Sequence, residues 1–463
     1  MNFYISALFL LLLFGYSTAR PQGETCVSND NCDSGLHCET CVANGNVRPR
    51  CTRIQPLSPF SRVNGLPFNR YSWLTTHNSF ARLGARSAAN GRLVLTTTNQ
   101  QDTITDQLND IVLSSGINRI EPASSAVERP VYGLEWPRFC SDPGQAWHAM
   151  FHRDSFSEAY YDTIAFRAQK LQYLMDGVRG LMLDMYDFNN DVWLCHSFRG
   201  NCYNYTAFTP ATNVLTEVRV FLEANPSEII TVIIEDYVRS PNGLTRAFNA
   251  SGLMRFWFPV SRMPRNGQDW PTVDDMVQNN QRLVVFTSRA SKESSERIAY
   301  QWRYMVENQY GDSGMRAGSC PNRSESPAMN TTTRSLVLMN YFPSTPSLTQ
   351  SCRHNSAPLI SMMNTCYEVA GRRWPNFIAV DYYRRSDGGG APQAVDTANG
   401  QLVCGCANIA SCRENMTFGA CEVAGDIAPS GEFNNQTSLG QFDSRPIRFQ
   451  WLIGVFLMAG MSL

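Results

Sequence analysis

The sequence contains no run of lysine or arginine, and 39 basic against 40 acidic side chains leave a formal net charge of −1. A nucleic-acid-binding protein needs a basic face against the phosphates, so that class of partner is excluded. There is no Gly-x-Ser-x-Gly turn and no P-loop, which removes the commonest serine-hydrolase and nucleotide-hydrolase readings. No apolar run reaches the ~20 residues that a helix needs to cross a bilayer. Cys38-x2-Cys41 and Cys404-x-Cys406 lack a second pair at zinc-finger spacing, so neither predicts a metal site. What is present is 463 residues with 43% hydrophobic content, enough for one large domain with additions and a sizeable core.

The two ends indicate a compartment. Phe3 to Gly15 is apolar apart from Tyr4 and Ser6, and Ser17-Thr18-Ala19 follows. This is the pattern of a secretory signal peptide over residues 1–19. Trp451 to Leu463 is a second short apolar run, preceded by the polar, small-residue stretch Asn434 to Gly440 and a spacer, Gln441 to Gln450. That order predicts a glycosylphosphatidylinositol attachment signal, with Ser438 as the attachment residue, 422–450 as a polar linker and 451–463 as a removed tail. The expected location is the extracellular face of the plasma membrane, held by a lipid anchor in the outer leaflet. Fifteen cysteines agree with export, as do six Asn-x-Ser/Thr sequons at Asn204, Asn249, Asn322, Asn330, Asn415 and Asn435.

Between the ends the texture changes twice. Residues 24–51 hold five cysteines and almost no aliphatic side chains, so this segment must be stapled, and the odd cysteine is expected to bridge to the main body. From 56 to 421, apolar runs alternate with amphipathic segments. Strands are expected at Trp73–Thr76, Val178–Met185, Ile229–Ile234, Arg282–Phe286, Ser335–Met339 and Phe377–Val380. Helices are expected at Asp102–Leu108 and Thr209–Ala224, the latter with Thr209 as cap and Pro210 in the first turn. Buried strands alternating with helices imply a parallel sheet covered on both faces, as a closed (β/α) barrel or, alternatively, an open doubly wound sheet. The block 111–175 breaks the rhythm and contains Cys140, His148 and His152. It reads as a weakly packed insertion, or as sequence normally removed by splicing.

In a (β/α) barrel, functional side chains sit at the carboxyl ends of the strands. Here successive apolar runs end in His77-Asn78-Ser79, Asp184, Glu235-Asp236 and Asp381, and the short run Val192–Cys195 ends in His196. Two imidazoles with ordinary pKa near ~6.5 can serve as base and acid together. Nearby Asn, Asp and Glu oxygens suit a hard cation such as Ca2+, which neutralises phosphoryl charge. Phosphodiester cleavage is a coherent reaction for such a rim.

The segments Leu74-Thr75-Thr76-His77-Asn78-Ser79-Phe80, Val178-Arg179-Gly180-Leu181-Met182-Leu183-Asp184, Trp193-Leu194-Cys195-His196 and Thr231-Val232-Ile233-Ile234-Glu235-Asp236 resemble, in order, the X-domain of phosphatidylinositol-specific phospholipases C. The likeness is greatest to plant secreted, lipid-anchored X-domain proteins. It implies an α/β fold, a distorted TIM barrel of the phospholipase C-like phosphodiesterase type. It also implies a two-histidine mechanism through a cyclic phosphate, with His77 as base, His196 as acid and Asp381 orienting His77. Asn78, Asp184 and Glu235 match metal-ligand positions of the calcium-dependent members. A further glutamate expected there is Met182, and the arginine of metal-independent members is Tyr186, so neither charge solution is complete. Arg199 is the expected substitute for binding the substrate phosphate. The implied partner is a phospholipid or other phosphodiester at a membrane surface, met by a monomer. The alternative is a catalytically weak barrel acting as a surface scaffold, with the cysteine-rich segment as its binding module. Cys195 and Cys202 are close enough to bridge and stiffen the His196 loop, and Cys404, Cys406, Cys412 and Cys421 are expected to staple the end of the barrel. Asp387-Gly388-Gly389-Gly390 reads as a flexible rim.

Overall fold

A computed structural model of the protein describes residues 19–108 and 177–422. The expected signal peptide up to Thr18, the block 111–175 with Cys140, His148 and His152, and the tail carrying Asn435 and Ser438 lie outside the described residues.

The N-terminal segment forms a two-stranded antiparallel ribbon, β1 (Leu36–Glu39) and β2 (Arg50–Arg53), in which Cys38 pairs with Cys51. Disulfides Cys26–Cys38 and Cys32–Cys51 replace the missing apolar core. The fifth cysteine, Cys41, bridges to Cys352 in the main body, as the odd count predicts.

The main body contains β3 (Trp73–Thr76), β4 (Val178–Phe188), β5 (Asp191–Cys195), β6 (Ala207–Pro210), β7 (Ile230–Tyr237), β8 (Leu283–Thr287), β9 (Ala299–Tyr300), β10 (Met305–Glu307), β11 (Leu336–Tyr341) and β12 (Phe377–Val380). Eight of them form one parallel path in the order β10-β11-β12-β3-β4-β7-β8-β9. That is chain order taken around a circle, with a seam between β9 and β10 where the described residues make no ladder. The strand order never reverses, as it would in a doubly wound sheet, so the fold is the distorted TIM barrel. Gly180 permits the close β3–β4 approach, since a Cβ there would collide with the Thr75 side chain.

Side chains alternate across each strand. Leu74, Leu181, Leu183, Val232, Ile234, Val285, Val337, Met339 and Ile378 pack outward against helices, including Ala211–Ala224 with Val214, Val218 and Phe221. Trp73, Ile233, Phe286, Leu338, Phe377 and Ala379 belong to a second cluster inside the barrel. Each fully buried side chain of this size contributes roughly 1.5–3 kcal/mol.

Several boundaries differ from expectation, and pairing explains them. β7 extends to Tyr237 because Glu235, Asp236 and Tyr237 pair with Asp184, Met185 and Tyr186. β11 extends to Tyr341 because Asn340 and Tyr341 pair with Ala379 and Val380. The helix expected from Thr209 begins at Ala211, with Pro210 as its cap, because Thr209 and Pro210 pair with Leu194 and Trp193. The short strands β6, β9 and β10 leave no periodic signal. Cys195–Cys202, Cys404–Cys412 and Cys406–Cys421 form, as does Cys320–Cys366.

Candidate active site

The alternation that fills the barrel also selects the site. Following the inward-facing series toward the carboxyl ends of the strands gives His77 after Trp73 and Thr75, Asp184 after Gly180 and Met182, and Glu235 after Ile233. Glu307 follows Met305, and Asp381 follows Phe377 and Ala379. His77, Asp184, Glu235 and Glu307 line one cavity with Met182, Leu183, Ile233, Ser288, Gln301 and Arg323. Asp236 has the opposite parity. Its oxygens accept from Val238 N–H and the Thr287 hydroxyl, and it does not line the cavity.

His77 is held on three sides. Its backbone N–H donates to Val380 O at 3.1 Å, and Gln100 Nε2 donates to its carbonyl at 2.8 Å. The ring stacks on Phe342 at 3.7 Å and 7°. Nδ1 lies 2.9 Å from Asp381 Oδ1, which also accepts from Asn99 Nδ2 at 2.9 Å. A carboxylate there accepts the Nδ1 proton, which leaves the Nε2 lone pair as the basic position.

His196 arrives by another route. β4 overshoots the barrel rim, and β5 returns antiparallel to it with Leu194 opposite Met185. Cys195 therefore reaches the level of Asp184, and His196 follows it. The Thr97 hydroxyl lies 2.7 Å from His196 Nδ1, and the Thr96 hydroxyl donates to His196 O at 2.7 Å. One short strap, Thr96 to Gln100, thus reaches both histidines, holding His196 through Thr97 and His77 through Gln100 and through Asn99, which braces Asp381. Tyr382 adds to the strap by donating its N–H to Asn99 O at 2.8 Å. In the described residues every hydrogen bond to either ring is made at Nδ1. Burial lowers the His196 imidazole below its ordinary value, and the charge of His77 pushes the same way.

Asp184 and Glu235 are paired neighbours on β4 and β7. Burial lifts the Asp184 carboxyl well above the ordinary carboxylate range; Glu235 adds to this and Arg323 opposes it. The Tyr237 hydroxyl donates to Glu235 at 2.5 Å. Asn78, in a left-handed turn with φ +42°, is buried, and its Oδ1 has no partner among the described residues. Met182 lines the cavity where a carboxylate was expected. Tyr186 stacks on Tyr237 at 4.3 Å and donates to Ser197 O at 3.2 Å, which steadies the His196 loop.

Arg199, the expected phosphate-binding cation, is exposed on the Cys195–Cys202 loop and does not line the cavity. Arg323 does line it, from the loop between β10 and β11, and is 9% exposed. Its guanidinium bonds Glu325 at 3.1 Å and Glu307 at 3.4 Å and lies over Tyr310, 4.9 Å from the ring centre. Burial works against its charge, but Glu307, Glu235 and Glu325 outweigh that and raise its pKa. Glu307 is saturated: besides Arg323 it accepts from Gln301, Trp302 and Asn340 at 2.7–2.9 Å. It is therefore the counter-ion of Arg323 and has no lone pair to spare for a metal. No strand end or motif marks Arg323, Thr97 or Asn99 in the sequence; only the polar run Thr96-Thr97-Thr98-Asn99-Gln100 stands out on inspection.

The N-terminal ribbon grips the loop that carries Asp381. His37 Nε2 lies 3.0 Å from Arg384 O, Glu39 pairs with Arg385, and Arg53 N–H donates to Gly388 O at 3.0 Å. Asn44 and Asn46 donate to Asp387. The Asp387–Gly390 loop is therefore pinned, not the flexible rim expected. Behind it, Asn355 donates to Asp381 O at 3.0 Å, three residues after the bridged Cys352. Joint replacement of Cys41 and Cys352 by serine is expected to cost about 2–4 kcal/mol, read as a lowered thermal midpoint. An unchanged midpoint would show that the noncovalent contacts hold the ribbon alone.

Comparison with known proteins identifies the family. The family model for the PI-PLC X domain matches residues 155–396. A PI-PLC X domain-containing protein of Arabidopsis thaliana is 46% identical over 423 residues, covering 90% of this chain and 84% of that protein. An uncharacterized secreted protein of Arthroderma benhamiae is 29% identical over 115 residues, 24% of this chain and 25% of its own. Among solved structures, a phosphatidylinositol-specific phospholipase C of S. aureus aligns at TM-score 0.36 and 11% identity, covering 70% of this chain and 90% of that one. That of Listeria monocytogenes aligns at 0.30 and 11%, covering 72% and 94%. With ordered strand-end residues, barrel topology and a near full-length relative in agreement, this chain belongs to the PI-PLC X domain family.

Proposed function

We propose that this chain is an exported phosphoric diester hydrolase that cleaves an inositol phospholipid or related diester through a cyclic phosphate. The observation that carries this reading is that both imidazoles are engaged at Nδ1, His77 by Asp381 and His196 by the Thr97 hydroxyl, which leaves Nε2 of each for proton transfer. His77 Nε2 takes the proton from the inositol 2-hydroxyl as its oxygen attacks phosphorus. His196 Nε2–H protonates the departing diacylglycerol oxygen as the P–O bond breaks. Water then opens the cyclic diester with the two roles exchanged. Asp381 keeps the His77 proton on Nδ1 and stabilises the imidazolium.

Charge on the phosphoryl oxygens needs a counter-charge, commonly the largest catalytic contribution. Arg323 is the cation that lines the cavity. A second reading rests on the orphaned Asn78 Oδ1 and on the Asp184 and Glu235 pair, whose mutual repulsion Arg323 opposes, a donor set of the kind that fits a hard dication. Calcium bound there would be held by Asn78, Asp184 and Glu235 and would supply phosphoryl charge neutralisation.

Export, a lipid anchor at Ser438 and glycans are part of the same proposal. Seven disulfides and the exposure of all five described sequon asparagines support it. The scaffold alternative loses support because His37, Glu39, Asn44, Asn46 and Arg53 of the N-terminal segment are spent on docking to the barrel.

The test is to offer the purified protein phosphatidylinositol, a glycosylphosphatidylinositol and a glycerophosphodiester and follow phosphorus by NMR. A cyclic inositol phosphate that appears before the open monoester is the expected result. Failure to turn over any of the three, with or without calcium, would leave only the scaffold.

A further inference from the structure

A groove of about 490 Å³ lies at the amino end of β3, where Phe60 packs on Tyr71 and Trp73 at 5.0 and 5.7 Å. It is at the far end of the barrel from His77, which follows the carboxyl end of the same strand. Its size is that of a small-ligand site, ~300–1,000 Å³. One wall is Phe60, Val63 and Leu66, and the other is the loop 413–420 with Met416 and Phe418. Disulfides Cys404–Cys412 and Cys406–Cys421 fix that loop at both ends. Phe418 is 72% exposed, yet its ring is held: Gly405 has φ +75°, and a Cβ there would come within 2.6 Å of it. A large ring pinned at one edge and bare elsewhere is apolar surface that asks for a cover.

Asn415 lines the same groove and begins the sequon Asn415-Met416-Thr417. It is exposed, and its amide makes no hydrogen bond among the described residues. Asn322 differs, since its Nδ2 donates to Arg323 O and Ser326 O at 3.0 and 3.3 Å, and a sugar there would take one of those hydrogens. A sugar on Asn415 Nδ2 starts inside the groove and breaks no such bond. A pyranose also matches the walls. Its C–H face packs on an aromatic ring, and its hydroxyl edge meets polar groups, here those of Arg62 and Asn64.

We propose that this groove seats the core N-acetylglucosamine of an N-linked glycan on Asn415, which clamps the 413–420 loop to Phe60, Val63 and Leu66. The donor class is a lipid-linked oligosaccharide diphosphate of the export route. The sugar C1–O bond breaks, the Nδ2–C1 bond forms, and the lipid diphosphate departs as the amide loses one proton. The inference rests on the export and glycan reading above and adds where one glycan lies and what it holds.

The test uses the protein secreted from a eukaryotic host. Mass spectrometry of its glycopeptides should find Asn415 occupied. Thr417→Ala removes the sequon and Phe418→Ala removes the platform, and each should lower the thermal midpoint by about 2 °C or more. The double variant should fall no further than either single one, because sugar and ring act only together. Enzymatic release of the glycans from the folded protein should lower the wild-type midpoint and leave that of Thr417→Ala unchanged. Additive losses, or a wild-type midpoint indifferent to glycan release, would overturn the seat. An unmodified Asn415 beside occupied sequons elsewhere would also overturn it while leaving export standing, and the absence of any glycan would remove both readings. A concentration-dependent dimer dissolved by Phe418→Ala would assign the groove to a second copy instead.

Discussion

Alanine at His77 or at His196 is expected to slow diester cleavage by about 10²–10⁴-fold, and the double variant to be little worse than either single one. In the proposed mechanism one histidine takes a proton and the other gives one in the same step, so the two act as a unit and the second loss removes little more. The pH profile gives an independent reading. His196 must carry a proton to donate one, and burial together with the His77 charge lowers its imidazole. The protonated fraction therefore falls at a lower pH than for an exposed histidine, whose value is ~6.5. kcat/KM should decline as pH rises from below that point. In His77→Ala one of the two lowering causes is gone, so the residual activity should decline at a higher pH. The same shift has a stability consequence. Because the unfolded chain holds this proton more tightly, the His196 contribution to stability is lost as pH falls and regained as it rises through this range. A scaffold with no catalytic role would show neither the rate loss nor the moving limb.

Glutamine at Arg323 is expected to lower kcat by about 10²–10³-fold, the effect of removing one preorganised charge from a developing oxyanion. Lysine should recover only part, because a single ammonium cannot reproduce the fork that spans Glu307 and Glu325. Removing Arg323 alone also strands the buried Glu307, at a cost of about 3–5 kcal/mol. The clean comparison is therefore Arg323→Gln with Glu307→Gln, which neutralises both partners. If that pair folds with a near-normal thermal midpoint yet turns over at the wild-type rate, Arg323 is a structural ion only. A chelator separates the two charge sources. Activity indifferent to EGTA assigns the charge to Arg323, whereas activity lost in EGTA and restored by calcium assigns it to Asn78, Asp184 and Glu235.

The placement of the site residues explains which of them are legible in the sequence. His77, Asp184, Glu235 and Asp381 each end an apolar run, and polar groups stranded at the end of a buried strand are legible as a barrel rim. The runs themselves are apolar on both faces, however, so they do not reveal which parity points inward. Asp236 looks as suitable as Glu235 until the register shows it turned toward Thr287. His196 is visible as the end of Val192–Cys195, but its approach along a hairpin that leaves the barrel depends on β4 being longer than its neighbours. Arg323 comes from a loop with no periodicity, as the middle residue of the sequon Asn322-Arg323-Ser324, and its place in the site appears only when Glu307 and Trp302 are seen around it. Arg199, close to His196 in the chain, lies on the exposed face of a disulfide loop, since closeness in sequence does not set direction.

Sequence alone determined the alternating architecture, the disulfide economy and the identity of the groups at four strand ends, because these follow from local periodicity and composition. Tertiary structure decided which of those groups share a cavity, which cation lies among them, and that one short strap reaches both histidines. Those relations join residues up to 304 positions apart, as for His77 and Asp381. Closure of the sheet into a barrel is what sets such distances, and no local pattern encodes it.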